Sequence, residues 1–497
     1  MFDRIRRLGS DTALYGISTI IGRFLTFLLT PIYTHVLVPD DLGVTATVYA
    51  FVAFFNVIYG YGMEGAFMKY VSTREIGNTR QNFTVPFLSI AATSVVFSGV
   101  MIWQNTPFAR LMLVPAGLEG IVVSAALILF FDALTVIPFA SLRMQRKAKQ
   151  FVAIRLSGIV VNVALNIILV VVGRGGVEGI FLSGVISSAF TLALLIPHIV
   201  SEFEPKIPRG LLAALLRFGL PSVPAGLAAM MIQVINRPIL DHMAGKGAVG
   251  IFQANYRLGI VMMLLVSMFD FAWRPFFLSH AKDEDARPMF ARVMTYYVLV
   301  ASALFLVFSL FLRDLVTLPI FGGRPLIAPA YWSGLPIVPL ILLGYLFLGV
   351  YNNLLAGVYI MKRTAILPAV TISGAAVNIV GTILLIPVWG MMGAAAATFL
   401  AYATMAGLLY FVVRRFYPLP YEWGRLLKIA GSTAATYLLF LLLGGWESHV
   451  VVKILLLLFF LFSMFLFRFF EPAEMALLKR LVARPSSGAE PPPSVGD

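Results

Sequence analysis

Cysteine is absent from all 497 residues. That excludes structural disulfides, catalytic thiols and thiolate metal sites. Charge is scarce as well: 12% of residues are Asp, Glu, Lys or Arg, about half the ~25% of a soluble globular chain. The five histidines form no H-E-x-x-H motif, and Gly245-Lys246-Gly247 lacks the glycine spacing and the Ser or Thr of a P-loop. No metal or cofactor is expected, and no intrinsic ATP hydrolysis. What the chain has is apolar residues, 60% of the total, against about 45–50% in soluble proteins. A soluble fold with this balance could not cover its own core. The composition points to a polytopic, all-α membrane protein.

Fourteen runs are long enough to cross about 30 Å of hydrocarbon. They lie at 12–38, 42–67, 85–103, 120–139, 153–172, 177–199 and 218–240, then at 250–273, 293–312, 335–360, 365–388, 391–413, 429–443 and 451–467. The first contains Arg23 and no A-x-A-like cleavage site, so it reads as a retained span rather than a signal peptide. Residues 472–482 can form a short amphipathic helix on the inner surface, and the Pro- and Ser-rich tail from 485 onward reads as disordered.

The net charge of +14 needs no nucleic acid to explain it. With the N-terminus inside, 27 of the 37 Lys and Arg fall in cytoplasmic segments and six in outer loops. Such a bias places both termini in the cytoplasm. The outer loops are too short for a catalytic domain, so function is expected between the helices, as a transporter rather than an enzyme.

An internal repeat supports this. At an offset of 207, Pro31-Ile32-x-x-His35, Gly43 and Tyr49 fall on Pro238-Ile239-x-x-His242, Gly250 and Tyr256. At 216, Ser157-Gly158-x-x-Val161-Asn162 falls on Ser373-Gly374-x-x-Val377-Asn378. The matches predict two parallel six-helix lobes, residues 1–207 and 208–416. Two added helices (417–470) and a cytoplasmic tail (471–497) follow. Lobes of this kind can rock around a central cleft. Pro31 and Pro238, equivalent in the repeat, are candidate hinges; the alternative is that they merely curve their helices.

The segments Gly22-Arg23-Phe24-Leu25 leading to Pro31, and Pro39-Asp40-Asp41-Leu42-Gly43, resemble the opening of the polysaccharide transporter family. These are the O-antigen and oligosaccharide flippases of the MATE-like multidrug/oligosaccharidyl-lipid/polysaccharide (MOP) exporter superfamily. Asn236-Arg237-Pro238-Ile239-Leu240 through Val249-Gly250-Ile251-Phe252 is similar to its second-lobe opening. Val161-Asn162 and Val377-Asn378, with Gly176-x-x-Gly179 and Gly390-x-x-Gly393, are similar to its fifth and eleventh spans. The resemblance covers nearly the whole chain. It implies movement of an undecaprenyl-diphosphate-linked sugar repeat unit from the inner to the outer leaflet of a bacterial cytoplasmic membrane. It also implies meetings with membrane lipids, a polysaccharide polymerase and assembly proteins. One departure matters: the family often has Asp-Arg where this chain has Asn236-Arg237, which undercuts ion coupling by a carboxylate there. A drug/cation antiporter of the same superfamily is the alternative, and a polysaccharide polymerase or ligase a more distant one.

Charges inside spans are the best pointers to function, because an Arg or Asp at a helix centre costs about 2.5–3.5 kcal/mol on insertion scales. Four basic residues fall within or at the edge of spans: Arg23, Arg155, Arg237 and Arg257. Arg23, Arg237 and Arg257 are the candidate cationic cleft, since guanidinium forks suit a diphosphate. Arg237 could instead reach outer headgroups, and Arg257 could pair with a buried carboxylate. Glu64 and Asp132 could carry a coupling ion or serve as partners for arginines. Asp270 and Arg274, four apart, read as a structural ion pair. Tyr33, Tyr49, Tyr59, Tyr61 and Tyr256 are candidates for sugar contact.

Overall fold

The computed structural model describes residues 16, 20–320, 322–471 and 474. Arg4, Arg6 and Arg7, the segment 472–482 apart from Glu474, and the tail from 485 lie outside the described residues. Within them are fourteen apolar helices. In chain order these are α1 (Ile20–Val36), α2 (Pro39–Thr73), α3 (Thr79–Trp103), α4 (Gly120–Met144), α5 (Ala148–Val172), α6 (Gly176–Glu202) and α7 (Leu211–Leu258). The second group is α8 (Ile260–Ser279), α9 (Ala286–Leu310), α10 (Ile337–Ile360), α11 (Thr364–Trp389), α12 (Met391–Val413), α13 (Trp423–Leu442) and α14 (Val450–Leu466). The chain is a multi-pass membrane protein with two six-helix lobes and two added helices. Among the described residues the exception to all-α structure is a two-residue ladder, Pro319–Ile320 with Arg324–Pro325. Connections alternate between two faces, named here for Asp40 (between α1 and α2) and Lys147 (between α4 and α5).

The seventh and eighth crossings depart from the expected runs. No loop separates 240 from 250. The helix is broken at one residue, Gly245, whose φ of 84° suits glycine. The chain folds back there, because Arg237 Nε bonds Gln253 Oε1 at 2.7 Å. In one straight helix those residues would stand about 24 Å apart. The second half of α7 therefore continues into α8 as the eighth crossing. The second crossing is broken as well: Tyr61 and Gly62, both at positive φ, separate Pro39–Gly60 from Met63–Thr73, which runs on toward the Lys147 face.

The repeat is visible as a reciprocal contact. A methyl group on Gly43 would overlap the Lys246 carbonyl, and one on Gly250 would overlap the Pro39 carbonyl. At the offset of 207, Gly43 maps to Gly250 and Pro39 to Lys246, so the two close approaches are one contact repeated. It holds the lobes together at the Asp40 face. Around it Thr47 donates to Asp241 at 2.9 Å, and Lys246 pairs with Asp241 while donating to the Leu113 carbonyl at 2.5 Å. Tyr331, in the 3-10 turn Pro329–Gly334, donates to the Leu37 carbonyl at 2.8 Å.

Pro31 and Pro238 each sit three residues beyond a helix interruption, at Leu28 and Ile235. The prolines lack the N–H that would bond Phe27 and Val234. The backbone stays in the right-handed helical region at both interruptions. Each lobe also ties its first helix to its fifth and sixth through buried amides. Tyr33 donates to Asn166 at 2.6 Å and Asn162 to Ser187 at 3.0 Å in the first lobe. Asn236 donates to Thr398 at 2.7 Å and Asn378 to the Ile232 carbonyl at 2.8 Å in the second. Leu211 and Leu215, just past the expected boundary at 207/208, bury their side chains in the first-lobe core.

Helices α13 and α14 are fastened to α9 at both ends. At the Asp40 face the fully buried Lys453 bonds Asp314 at 2.5 Å, and Trp446 Nε1 donates to the Ser309 carbonyl at 2.8 Å. At the Lys147 face Arg425 bonds Glu474 at 2.9 Å and Glu422 at 3.2 Å, while Arg292 bonds Glu471 at 3.0 Å.

Candidate functional site

A cavity of about 440 Å³ lies between the lobes. Helix α1 supplies Gly22, Arg23, Thr26 and Phe27; α5 supplies Arg155 and Ile159; and α10 supplies Tyr345. The folded-back α7 and α8 supply Arg237, Gln253, Tyr256, Arg257, Ile260 and Met263. Among the described residues the lining therefore holds four guanidinium groups and no carboxylate. Among the described residues none of the four forms an ion pair.

Each arginine is held by neutral groups. Arg23 Nη1 donates to Ser267 Oγ at 2.6 Å across the lobe boundary. Arg237, 7% exposed, donates to Gln253 and to the Gln233 carbonyl and lies 4.8 Å from the Tyr256 ring centre. Arg257 reaches Thr30 Oγ1 at 3.4 Å and stands 5.9 Å from the Tyr33 ring. Arg155 is exposed and sits 5.9 Å from the Phe151 ring. Hydroxyls, carbonyls and ring faces fix these side chains without cancelling their charge. Such a cavity stabilises a multiply charged anion and repels a cation.

The structure brings Arg23, Arg237 and Arg257 together and adds Arg155. Among the described residues no carboxylate pairs with Arg257; Thr30 and the Tyr33 ring stand beside it. Arg237 points into the cavity rather than to headgroups, because the chain reversal at Gly245 turns it toward Gln253. Glu64 is half-buried and forms an ion pair with Arg143 at the Lys147 face. Asp132 faces Ser188 and lies within electrostatic reach of Arg155. Asp270 and Arg274 pair at 2.9 Å, one helical turn apart. None of these four lines the cavity.

Of the five tyrosines considered for sugar contact, Tyr256 lines the cavity. Tyr59 and Tyr61 bond Ser98 and Ser89 within the first lobe, and Tyr49 stacks on Phe181. Sequence reasoning passed over Arg155, Gln253 and Tyr345. Arg155 carried a signal, as one of four basic residues inside spans. Gln253 and Tyr345 carried none, because their roles follow from the reversal at Gly245 and from the approach of α10. Asn236, where the family resemblance would place Asp, donates to the Ala394 carbonyl at 3.2 Å and to Thr398. A carboxylate could make neither donation.

A family model described as "Polysaccharide biosynthesis protein" matches residues 32–328. No curated protein matches in sequence. The fold is similar to the lipid II flippase MurJ in an inward closed conformation, with a TM-score of 0.71 at 14% identity, covering 95% of this chain and 100% of that one. It is similar also to a multidrug resistance MATE family transporter of the MOP superfamily, inward-facing, with a TM-score of 0.61 at 14% identity over 79% and 94% of the two chains. A MATE transporter of Vibrio cholerae gives 0.58 at 12% identity over 82% and 96%. At these identities the likeness carries the fold.

Proposed function

The chain belongs to the polysaccharide biosynthesis protein family, and on that premise we propose that it is a flippase for an undecaprenyl-diphosphate-linked oligosaccharide. In this reading the two lobes, residues 1–207 and 208–416, rock to open the cavity first to the inner and then to the outer leaflet of a bacterial cytoplasmic membrane. The Lys147 face is cytoplasmic and the Asp40 face outer. The observation that carries the reading is the cavity whose described lining holds four arginines and no acid. A diphosphate gives them charge-assisted hydrogen bonds. A cationic drug would meet like charge. The described state is held shut at the Asp40 face by the reciprocal glycine contact and its flanking hydrogen bonds, which is where a substrate bound from the cytoplasm would be stopped.

The membrane potential supplies a driving force. Each negative charge moved outward across 100 mV, inside negative, gains about 2.3 kcal/mol, so a diphosphate with two charges gains about twice that if both cross the field. Pro31 and Pro238 mark the equivalent interruptions at which α1 and α7 would bend.

Proteoliposomes loaded with a fluorescent undecaprenyl-diphosphate-linked saccharide test the activity. The purified protein should speed the label's appearance in the opposite leaflet over protein-free vesicles. No acceleration would sink the reading. Orientation is tested separately, since the chain has no native cysteine. Asp40→Cys should react with an impermeant thiol reagent added outside intact cells and Lys147→Cys should not; the reverse pattern overturns the orientation.

A further inference from the structure

The four arginines stand on two levels, and the eighth crossing measures the distance between them. Arg23 is tied to Ser267, and Ser267 lies ten residues from Arg257, about 15 Å of helix. Arg237 is tied to Gln253, fourteen residues from Ser267, or about 21 Å. The first crossing agrees: Arg257 reaches Thr30, seven residues or about 10 Å beyond Arg23. Arg155 joins the lower level, seven residues into α5 from the Lys147 face and within reach of the charge on Arg23.

The surroundings differ as well. The lower pair is half-buried or exposed, with Thr26 and Ile159 beside it. The upper pair sits among Gln253, Tyr256 and Tyr345, with Tyr345 donating to Tyr256 at 3.1 Å. Amide and phenol groups beside ring faces suit the hydroxyls and apolar faces of sugars.

A diphosphate has two phosphorus atoms bridged by one oxygen, which is shorter than a helical turn of about 5.4 Å. It cannot engage both levels at once. As a diester it carries two negative charges, which Arg23 and Arg155 can meet. That leaves two guanidinium groups, Arg237 and Arg257, close to each other, without an acid, and aimed where the saccharide would lie. Two uncompensated like charges in a partly buried site call for an anion.

We propose, building on the flippase reading, that the transported saccharide is acidic, with a carboxylate or phosphate on a sugar beyond the first that Arg237 and Arg257 bind while Arg23 and Arg155 hold the diphosphate. The rule for selection is then one of spacing: two anionic groups separated by the rise between the levels. A neutral saccharide of equal length leaves the upper pair unmet.

The experiment uses two farnesyl-diphosphate-linked trisaccharides that differ only in the terminal sugar, galacturonic acid in one and galactose in the other. Each is titrated against the full chain in zwitterionic nanodiscs. The wild type should bind the acidic probe at least tenfold more tightly, about 1.4 kcal/mol. Arg237→Gln and Arg257→Gln should bring the ratio close to one. Arg257→Gln serves if burial makes Arg237→Gln fold poorly. Arg23→Gln and Arg155→Gln should weaken both probes together and keep the ratio. Equal binding of the two probes by the wild type overturns the inference and leaves the flippase reading standing. So does a preference that survives both upper-level substitutions, or one abolished by Arg23→Gln, which would mean both levels handle the diphosphate in turn. Binding of neither probe counts against the flippase reading itself.

Discussion

The protein contains two sets of basic residues within its helices, and their surroundings are opposite. Around α13 and α14, Lys453 and Arg425 have side chains 1% and 10% exposed, and each meets carboxylates: Asp314 for the first, Glu422 and Glu474 for the second. Around the central cavity, Arg23, Arg155, Arg237 and Arg257 meet serine, threonine, glutamine, carbonyls and rings, and none of them is ion-paired among the described residues; Asp132 acts on Arg155 only at a distance. A buried ion pair left with one partner is strongly destabilising, so the first set is fixed and serves as fastening. The second set keeps its charge available. Burial alone does not separate structure from function here; the presence of a counter-ion within the protein does.

The sharpest way to break this contrast is to remove the available charge. Arg23→Ala combined with Arg155→Ala deletes two charged donors, each worth about 1.5–3 kcal/mol to a charged acceptor. Export of surface polysaccharide should fall about 100-fold or more, while the protein accumulates in the membrane at wild-type levels and melts at the wild-type temperature. Normal export by the well-expressed double variant would remove these residues from the mechanism.

Removing a fastened charge should do the reverse. Lys453→Ala leaves Asp314 without its partner and should cost about 2–3 kcal/mol, somewhat below the 3–5 kcal/mol of a fully enclosed pair because Asp314 keeps some solvent. The expected readout is a lower melting temperature in detergent, with transport per folded molecule retained. A variant that is stable but inactive would place α13 and α14 in the transport step rather than beside it.

Much of this contrast could be read in the sequence, and the parts that could not have identifiable reasons. The fourteen crossings follow from apolar run length, because a helix must be about 20 apolar residues long to cross. The repeat that aligned Gly43 with Gly250 is the interlobe contact itself. Three of the four cavity arginines stood out by depth. Sequence could not show whether a carboxylate stands beside each of them, since Glu64, Asp132 and Asp270 are all at plausible depths. The i,i+4 spacing already pairs Asp270 with Arg274, whereas only tertiary packing sends Glu64 to Arg143. The apolar runs end at 240 and resume at 250, which predicts a loop where the chain in fact reverses at Gly245. One positive φ angle does the work of that loop, and with it Gln253 faces Arg237.

A third substitution converts one class into the other. Gln253→Glu is nearly isosteric and places a carboxylate where the amide oxygen now accepts from Arg237 at 2.7 Å. The new pair should stabilise the protein by about 1 kcal/mol and reduce transport about tenfold, because the upper cation is no longer free. Raised stability with undiminished transport would show that Arg237 needs no freedom to act, and the contrast between the sets would fail at that residue.

The smallest expected effect tests the fastening by pH. Glu474 lies beyond α14, outside the crossings. Burial alone would raise its pKa, but the Tyr296 hydroxyl, the Glu471 backbone N–H and Arg425 hold it below the ordinary glutamate value of 4.5. A carboxyl whose pKa is depressed on folding contributes stability that is complete above its unfolded value and is lost as pH falls through the folded one. The contribution should therefore be present at neutral pH and fade below about 4.5, with a size on the order of 0.5 kcal/mol, because Arg425 keeps Glu422 as a second carboxylate partner. The melting temperature of Glu474→Gln should lie below that of the wild type at pH 7 and converge with it as the solution is acidified. Arg23 forms no ion pair among the described residues, so the same acidification should leave the stability difference between the wild type and Arg23→Ala unchanged. Parallel curves for Glu474→Gln and wild type across that range would show that the clamp at the Lys147 face holds without its charge.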